Sequence, residues 1–91
     1  MLKIKLYDFY TEYCQPCKQL SRIIDSLKKE FEGNENVEII KVNVDVEPEL
    51  SSQYNIRSVP TLIYLKDNEV VHRTTGLVQK QNILNKINDL I

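Results

Sequence analysis

The sequence predicts an α/β domain with the element order β-α-β-α-β-β-α, in which helices flank a four-stranded mixed sheet. Short segments rich in β-branched residues alternate with segments whose apolar residues recur every three or four positions. A helix between the first two strands implies a right-handed parallel crossover, and a tight turn between the last two implies an antiparallel hairpin. Because 91 residues leave room for only one core, we expect a single domain over residues 1–91.

The first predicted strand and helix lie on either side of the two cysteines. Residues 3–10 alternate and then become apolar around Asp8, so both faces of this strand should be at least partly covered. Gly33 and Asn34 should end the helix that follows. Its apolar residues recur at helical spacing and are Leu20, Ile23, Ile24, Leu27 and Phe31.

The remaining elements follow from shorter patterns. Residues 37–45 are rich in β-branched side chains and predict a second strand. Pro48 suits the first turn of a short helix. Residues 56–76 predict two strands joined by a tight turn at Asp67 and Asn68. The last predicted helix has one apolar face, formed by Ile83, Leu84, Ile87, Leu90 and Ile91.

The charge pattern and the apolar runs argue against several classes of protein. With 12 basic and 13 acidic side chains, the formal net charge is −1 and no basic stripe stands out, so nucleic-acid binding is not expected. No run approaches the roughly 18 apolar residues that a membrane helix needs. The alternating N-terminus indicates a strand rather than a signal peptide. We therefore expect a cytoplasmic protein that binds neither nucleic acid nor membrane.

The two cysteines of the chain, Cys14 and Cys17, are separated by Gln15 and Pro16. A C-x-x-C motif between the strand and the helix of a βαβ unit is typical of a redox pair. Free N–H groups and the helix dipole at the helix N-terminus stabilise a thiolate at Cys14, while Cys17 lies one turn further on. Pro16 tolerates its missing N–H because it stands in the first turn.

Two other interpretations of the cysteines stay open, namely a metal site and a pair of inert thiols. A zinc site needs about four ligands, and the chain adds only His72 to its cysteines. We therefore expect no metal site within one chain, although two chains could share an ion. His72 lies in the predicted hairpin, where we expect a surface residue.

Several separated motifs resemble the thioredoxin family, in order, over residues 4–90. "YDFYTEYCQPCK" is similar to the family's V-D-F-W-A-x-W-C-G-P-C-K. "KVNVDVEPELSSQYNIRSVPTLIYLKDNEVVHRTTG" resembles its K-x-N-x-D-x-N-P-x-x-A-x-x-Y-x-I-R-S-x-P-T-L-x-x-F-K-N-G-E-x-x-x-x-x-x-G. The resemblance implies a thioredoxin-like fold that lacks the family's first strand and helix. The glutaredoxin pattern fits less well, since that family carries C-P-Y-C and a double glycine where this chain has CQPC and Gly76 alone.

The resemblance implies a thiol–disulfide oxidoreductase that reduces protein disulfides. Cys14 would be the exposed nucleophile, and Cys17 the more buried thiol that resolves the mixed disulfide. The Cys14–Cys17 disulfide would itself be the redox centre, with no further cofactor. The expected partners are protein disulfide substrates and an electron donor, which would be a thioredoxin reductase-type enzyme or glutathione. The chain is expected to be a monomer.

The resemblance also implies roles for a proline and an acid. Pro60 would have a cis peptide bond, face the cysteines and present the backbone of Val59 to an extended substrate segment. The alternative is a proline that merely begins a strand. Asp8 would be a buried carboxyl with a raised pKa that relays the proton of Cys17, with Lys41 moderating its charge. The alternative is a strand-end acid partly in water.

A substrate-binding rim is expected around the cysteines. Gln15 replaces the family's glycine and adds bulk and an amide beside the sulfur, so it should affect redox potential and substrate choice. Gly76 would leave room for a substrate backbone. Lys18 would add positive field near Cys14, unless it is simply a solvated helix residue. The residues expected to contact substrate are Tyr13, Gln15, Pro16, Val59, Gly76 and Leu77.

Three functions are therefore compared. The first is a disulfide reductase of the thioredoxin type. The second is a glutaredoxin-like or dedicated donor with a single client, which the small size and Gln15 suggest. The third is a binding module that uses the same docking surface with little turnover.

Overall fold

Seven elements follow one another in the predicted order in the computed structural model, which describes residues 3–91. The first two residues of the predicted domain lie outside the described residues. The strands are β1 (Ile4–Tyr10), β2 (Val37–Asn43), β3 (Thr61–Lys66) and β4 (Glu69–Thr75). The helices are α1 (Gln15–Glu30), α2 (Pro48–Gln53) and α3 (Lys80–Leu90).

The four strands form one mixed sheet with the order β2-β1-β3-β4. β1 is parallel to β2 and antiparallel to β3, and β3 pairs with β4 as an antiparallel hairpin. This arrangement confirms the predicted four-stranded mixed sheet flanked by helices. It also places β1, which leads directly into the cysteines, in the middle of the sheet.

Two predicted strands are shorter in the structure than in the sequence-based prediction. The segment predicted from residue 37 to 45 ends at Asn43, after which the chain turns. The segment predicted to begin at Ile56 becomes a strand only at Thr61. Pro60 has no N–H to donate to a ladder, so the strand begins after it and residues 56–60 are free to form a loop.

The hairpin turn lies where the sequence predicts it. Asp67 and Asn68 both have positive φ, at 51° and 72°. Two such residues in a two-residue connection match the right-handed twist of the flanking strands, and Asn and Asp tolerate this conformation.

The sheet has an apolar cluster on each face. α1 and α3 cover one face, where Ile4 and Leu6 of β1 pack against residues such as Leu20 and Ile83. α2 covers part of the other face, where Phe9 belongs to a smaller cluster. Because strand side chains alternate between faces, Asp8 lies on the same face as Leu6, beneath α1. The fold thus buries an acid behind the helix that begins at the cysteines.

Candidate active site

Cys14 is the N-cap of α1. Its backbone is extended, with φ −117° and ψ 111°, and its sulfur accepts a hydrogen bond from the Cys17 N–H at 3.2 Å. Pro16 lies in the first turn, where its missing N–H costs no helical hydrogen bond. This geometry aims the Cys17 N–H, one of the first N–H groups of the helix, at the sulfur, which favours the charged thiolate once the disulfide is reduced.

The two cysteines form a disulfide and differ in exposure. Their Cα atoms are 5.1 Å apart. Cys14 is half-buried, whereas Cys17 is only 1% exposed and belongs to the buried face of α1. A substrate can therefore approach the sulfur of Cys14 and not that of Cys17.

The loop before β3 faces Cys14. The Val59–Pro60 peptide bond is cis, as the resemblance implies, and Pro60 is buried. The Cys14 sulfur lies 3.9 Å from the Val59 carbonyl oxygen. The Gly76 N–H donates to the Pro60 carbonyl at 2.8 Å, so the end of the hairpin fixes this loop from the other side.

Exposed side chains surround the cysteine pair. Tyr13 is 94% exposed and Leu77 is 49% exposed, while Gln15 and Pro16 are also exposed. Gly76 has a φ of +87°, a conformation that L side chains rarely adopt. A Cβ at this position would meet no atom within 4 Å, so the backbone conformation, rather than crowding within the chain, favours glycine here.

Asp8 lies beneath α1 with no exposed surface. Neither of its carboxyl oxygens has a hydrogen-bond partner among the described residues. Burial therefore raises the pKa of Asp8 from its ordinary value of 3.8 to about 6. The ammonium of Lys41 opposes this rise, and the carboxylate of Asp25 adds to it.

Lys41 is the β2 residue that pairs with Asp8 in the parallel register. Its Nζ atom lies 2.6 Å from Asp25 Oδ1 and 2.8 Å from Ser21 Oγ, to which it donates a hydrogen bond. The family resemblance points to Lys41, whereas nothing in the sequence singles out Ser21 and Asp25. Their spacing of four residues on a helix is too common a pattern to single them out.

A cavity of about 490 Å³ opens beside Cys17. Tyr10 and Tyr13 line it on one side, and Lys18 and Ser21 of α1 line it on the other. Lys18 is exposed at this cavity. The cavity thus brings open space up to the buried cysteine.

His72 lies on β4 and is half-buried rather than the surface residue that the sequence predicts. Its ring is 5.3 Å from that of Tyr64, against which it packs. Burial and the nearby Lys86 lower its pKa.

Within residues 3–91, no three His, Cys, Asp or Glu side chains are grouped so that they could hold a metal ion. None of the helices in that range is long and apolar enough to cross a membrane.

Comparisons with known proteins agree with this geometry. Residues 2–89 match the family model described as Thioredoxin. The chain is 43% identical over 86 residues to a thioredoxin of Rickettsia felis, covering 94% of this chain and 80% of that protein. It is 42% identical over 83 residues to a thioredoxin of Chlamydia caviae, covering 91% and 78%.

A solved structure has the same fold. It is a mutant thioredoxin from Halobacterium salinarum NRC-1, which superposes with a TM-score of 0.86 at 30% identity. The superposition covers 97% of this chain and 74% of that chain.

Proposed function

The chain belongs to the thioredoxin family of thiol–disulfide oxidoreductases, and we propose that Cys14 and Cys17 carry out disulfide reduction in two ordered steps. The observation that supports this order most directly is the difference in exposure between the two sulfurs. Cys14 stands half-buried at a helix N-terminus, and Cys17 is 1% exposed. The reachable sulfur attacks first, and the buried one completes the exchange.

In the first step, the Cys14 thiolate attacks one sulfur of a substrate disulfide. The substrate S–S bond breaks, a Cys14–substrate disulfide forms, and the other substrate sulfur leaves as a thiolate that takes a proton from water. The helix N-terminus supports this step because it stabilises the thiolate at neutral pH.

In the second step, Cys17 loses its proton and attacks the Cys14 sulfur. The mixed disulfide breaks, the Cys14–Cys17 disulfide forms, and the substrate leaves reduced by two electrons. We assign Asp8 as the acceptor of the Cys17 proton. A buried carboxyl with a pKa of about 6 is a stronger base than an ordinary aspartate and is close to the operating pH.

The substrate segment docks across the loop before β3. The Val59 carbonyl, 3.9 Å from the Cys14 sulfur, offers a backbone acceptor to an extended peptide. Tyr13 and Leu77 supply exposed apolar contacts on either side. Gln15 and Pro16 complete the rim. Gly76, with its positive φ and no side chain, leaves room there for the substrate backbone. Lys18 adds positive charge near Cys14.

The disulfide itself carries the electrons, so no further cofactor is required. Restoring the dithiol needs an electron donor, either a thioredoxin reductase-type enzyme or glutathione.

We infer that residues 1–91 act as one domain, as a monomer and in the cytoplasm. Gln15 favours one alternative, a donor dedicated to a single client, because it adds an exposed amide side chain directly after Cys14 in the chain. A binding module with little turnover remains the contrasting hypothesis.

Covalent trapping tests the two cysteine roles. Cys14→Ser should abolish disulfide reduction, because the attacking sulfur is gone. Cys17→Ser should accumulate mixed disulfides with the substrate, since nothing resolves them, and non-reducing electrophoresis with mass spectrometry detects the adducts. Normal turnover of protein disulfides by Cys17→Ser would contradict the assignment.

Insulin reduction distinguishes the three functions. Wild-type protein should reduce insulin with dithiothreitol or a thioredoxin reductase as donor. Turnover with glutathione alone would indicate a glutaredoxin-like donor. A reversible internal disulfide that supports turnover with neither donor would favour the binding module.

A further inference from the structure

The side chain of Lys41 makes no hydrogen bond to the acid with which its residue pairs. Asp8 and Lys41 are partners in the parallel register of β1 and β2, so their side chains leave the same face of the sheet side by side. Yet neither carboxyl oxygen of Asp8 accepts a hydrogen bond from any described residue. An ammonium this close to a buried carboxyl would ordinarily form an ion pair with it.

Two side chains of α1 hold that ammonium instead. Lys41 Nζ donates to Ser21 Oγ at 2.8 Å and lies 2.6 Å from Asp25 Oδ1. Ser21 and Asp25 are four residues apart on the helix, so they lie on one side of it, one above the other. The Asp25 side chain is 60% exposed and that of Lys41 is 26% exposed, so the ion pair lies towards solvent while Asp8 stays inside.

Few other groups of the neighbouring elements can influence Asp8. β2 contributes Lys41 and α1 contributes Asp25. α1 also carries the buried Cys17, which is held in a disulfide and does not titrate. Opposite Asp8 on β3 stands Leu62, which carries no charge. The position of the Lys41 ammonium is thus the main adjustable electrostatic feature around Asp8.

We propose that Ser21 and Asp25 are positioning residues that hold the Lys41 ammonium off Asp8 and thereby keep Asp8 an effective acceptor for the Cys17 proton. This inference rests on the role proposed for Asp8 above. An ammonium in direct contact would stabilise the carboxylate and weaken it as a base. While α1 holds the ammonium, the desolvation of the carboxyl outweighs the attraction of Lys41, and the pKa of Asp8 stays raised.

The chain contains a matched control on the same helix. Lys80 of α3 donates to Ser26 Oγ at 2.8 Å and lies 2.7 Å from Glu30 Oε1. Ser26 and Glu30 are also four residues apart on α1. Changes at this second set remove the same kinds of contact without touching Lys41 or Asp8.

The test is a titration of the Asp8 carboxyl, followed by ¹³C NMR in the oxidised protein, where the cysteines do not titrate. Ser21→Ala should lower the midpoint by about half a pH unit or more, because the freed ammonium turns towards Asp8. Asp25→Asn should lower it further, since a negative charge is lost as well. Ser26→Ala and Glu30→Gln should leave the midpoint unchanged.

Repeating the Ser21→Ala titration in a Lys41→Met variant shows whether Ser21 acts on Asp8 through Lys41. In Lys41→Met protein, Ser21→Ala should not move the Asp8 midpoint. An unchanged midpoint in the Ser21→Ala single variant would overturn the proposal. An equal shift with or without Lys41, or in the Ser26→Ala control, would do the same.

Measuring the rate of insulin reduction distinguishes a failure of the positioning role from a failure of the role proposed for Asp8. If Asp8→Asn reduces insulin as fast as the wild type, the role of Asp8 fails, whatever the titrations give. If Asp8→Asn is slow but Ser21→Ala titrates like the wild type, only the positioning role fails. If both hold, the pH profile of turnover should shift in Ser21→Ala in the same direction as the NMR midpoint.

Discussion

The carboxyl of Asp8 makes the stability of the fold depend on pH. Its pKa in the folded protein is about 6, above the ordinary 3.8, so the folded state binds this proton more tightly than the unfolded state. The stabilisation is complete below about pH 4 and is lost as the pH rises through about 6. Raising the pKa of Asp8 from 3.8 to about 6 corresponds to about 3 kcal/mol of unfolding free energy.

We therefore expect Asp8→Asn to be more stable than the wild type at pH 7, where the wild-type carboxyl is charged. The difference in unfolding free energy between variant and wild type should be larger at pH 7 than at pH 3.5 by up to about 3 kcal/mol. The same variant should be slower in disulfide reduction. Urea unfolding at the two pH values, together with turnover of insulin, measures both effects. Asp89→Asn, at an exposed position on α3, should show neither. Equal stability and equal rates in Asp8→Asn would count against a buried acid with a catalytic role.

Among the elements, α3 contributes to the core through a few side chains. Ile83 and Ile87 have no exposed surface and pack against the cluster beneath α1. Ile91, one residue after this helix, is 57% exposed. Two isoleucines at nearby positions thus differ mainly in burial.

Ile87→Ala should lower the unfolding free energy by about 3 kcal/mol, because it removes buried methyl groups and leaves a cavity. Ile91→Ala should change it by about 0.5 kcal/mol or less. Urea denaturation of both variants makes the comparison. Similar losses in the two would mean that α3 does not pack as described.

The periodicities of the sequence predict these elements well because each depends on neighbours along the chain. Helical spacing identifies α1 and α3, and Asp67-Asn68 identifies the hairpin turn. The contact of Lys41 with Ser21 and Asp25 could not be predicted in the same way. It depends on where α1 crosses the sheet, which the spacing within either element does not encode. The prediction of a strand over residues 56–60 is wrong: Ile56 and Val59 favour a strand, but Pro60 cannot donate to a ladder and the strand begins at Thr61.

At the scale of the whole molecule, the sheet leaves β4 as an edge. Val70 and Val71 are exposed there, at 49% and 42%. The register between β3 and β4 shifts at Tyr64 and Leu65, an irregularity that twists an edge away from regular pairing. The edge also carries the charged Glu69 and Arg73. These features disfavour pairing of two copies through β4.

We therefore expect sedimentation equilibrium to give the mass of one chain over a wide concentration range. Val71→Lys, which adds a charge to the edge, should leave that mass unchanged. A dimer that forms as concentration rises and disappears in Val71→Lys would contradict the expectation.

One helix serves both the core and the chemistry. α1 begins at the Cys14 cap and continues into Cys17, Leu20, Ile24 and Leu27, all buried against the sheet. Loosening its first turn would remove the Cys17 N–H from the Cys14 sulfur, and detaching the rest of the helix would open the core. The catalytic rate should thus be proportional to the folded fraction of the protein. Heat or denaturant should abolish activity over the same range in which the protein unfolds.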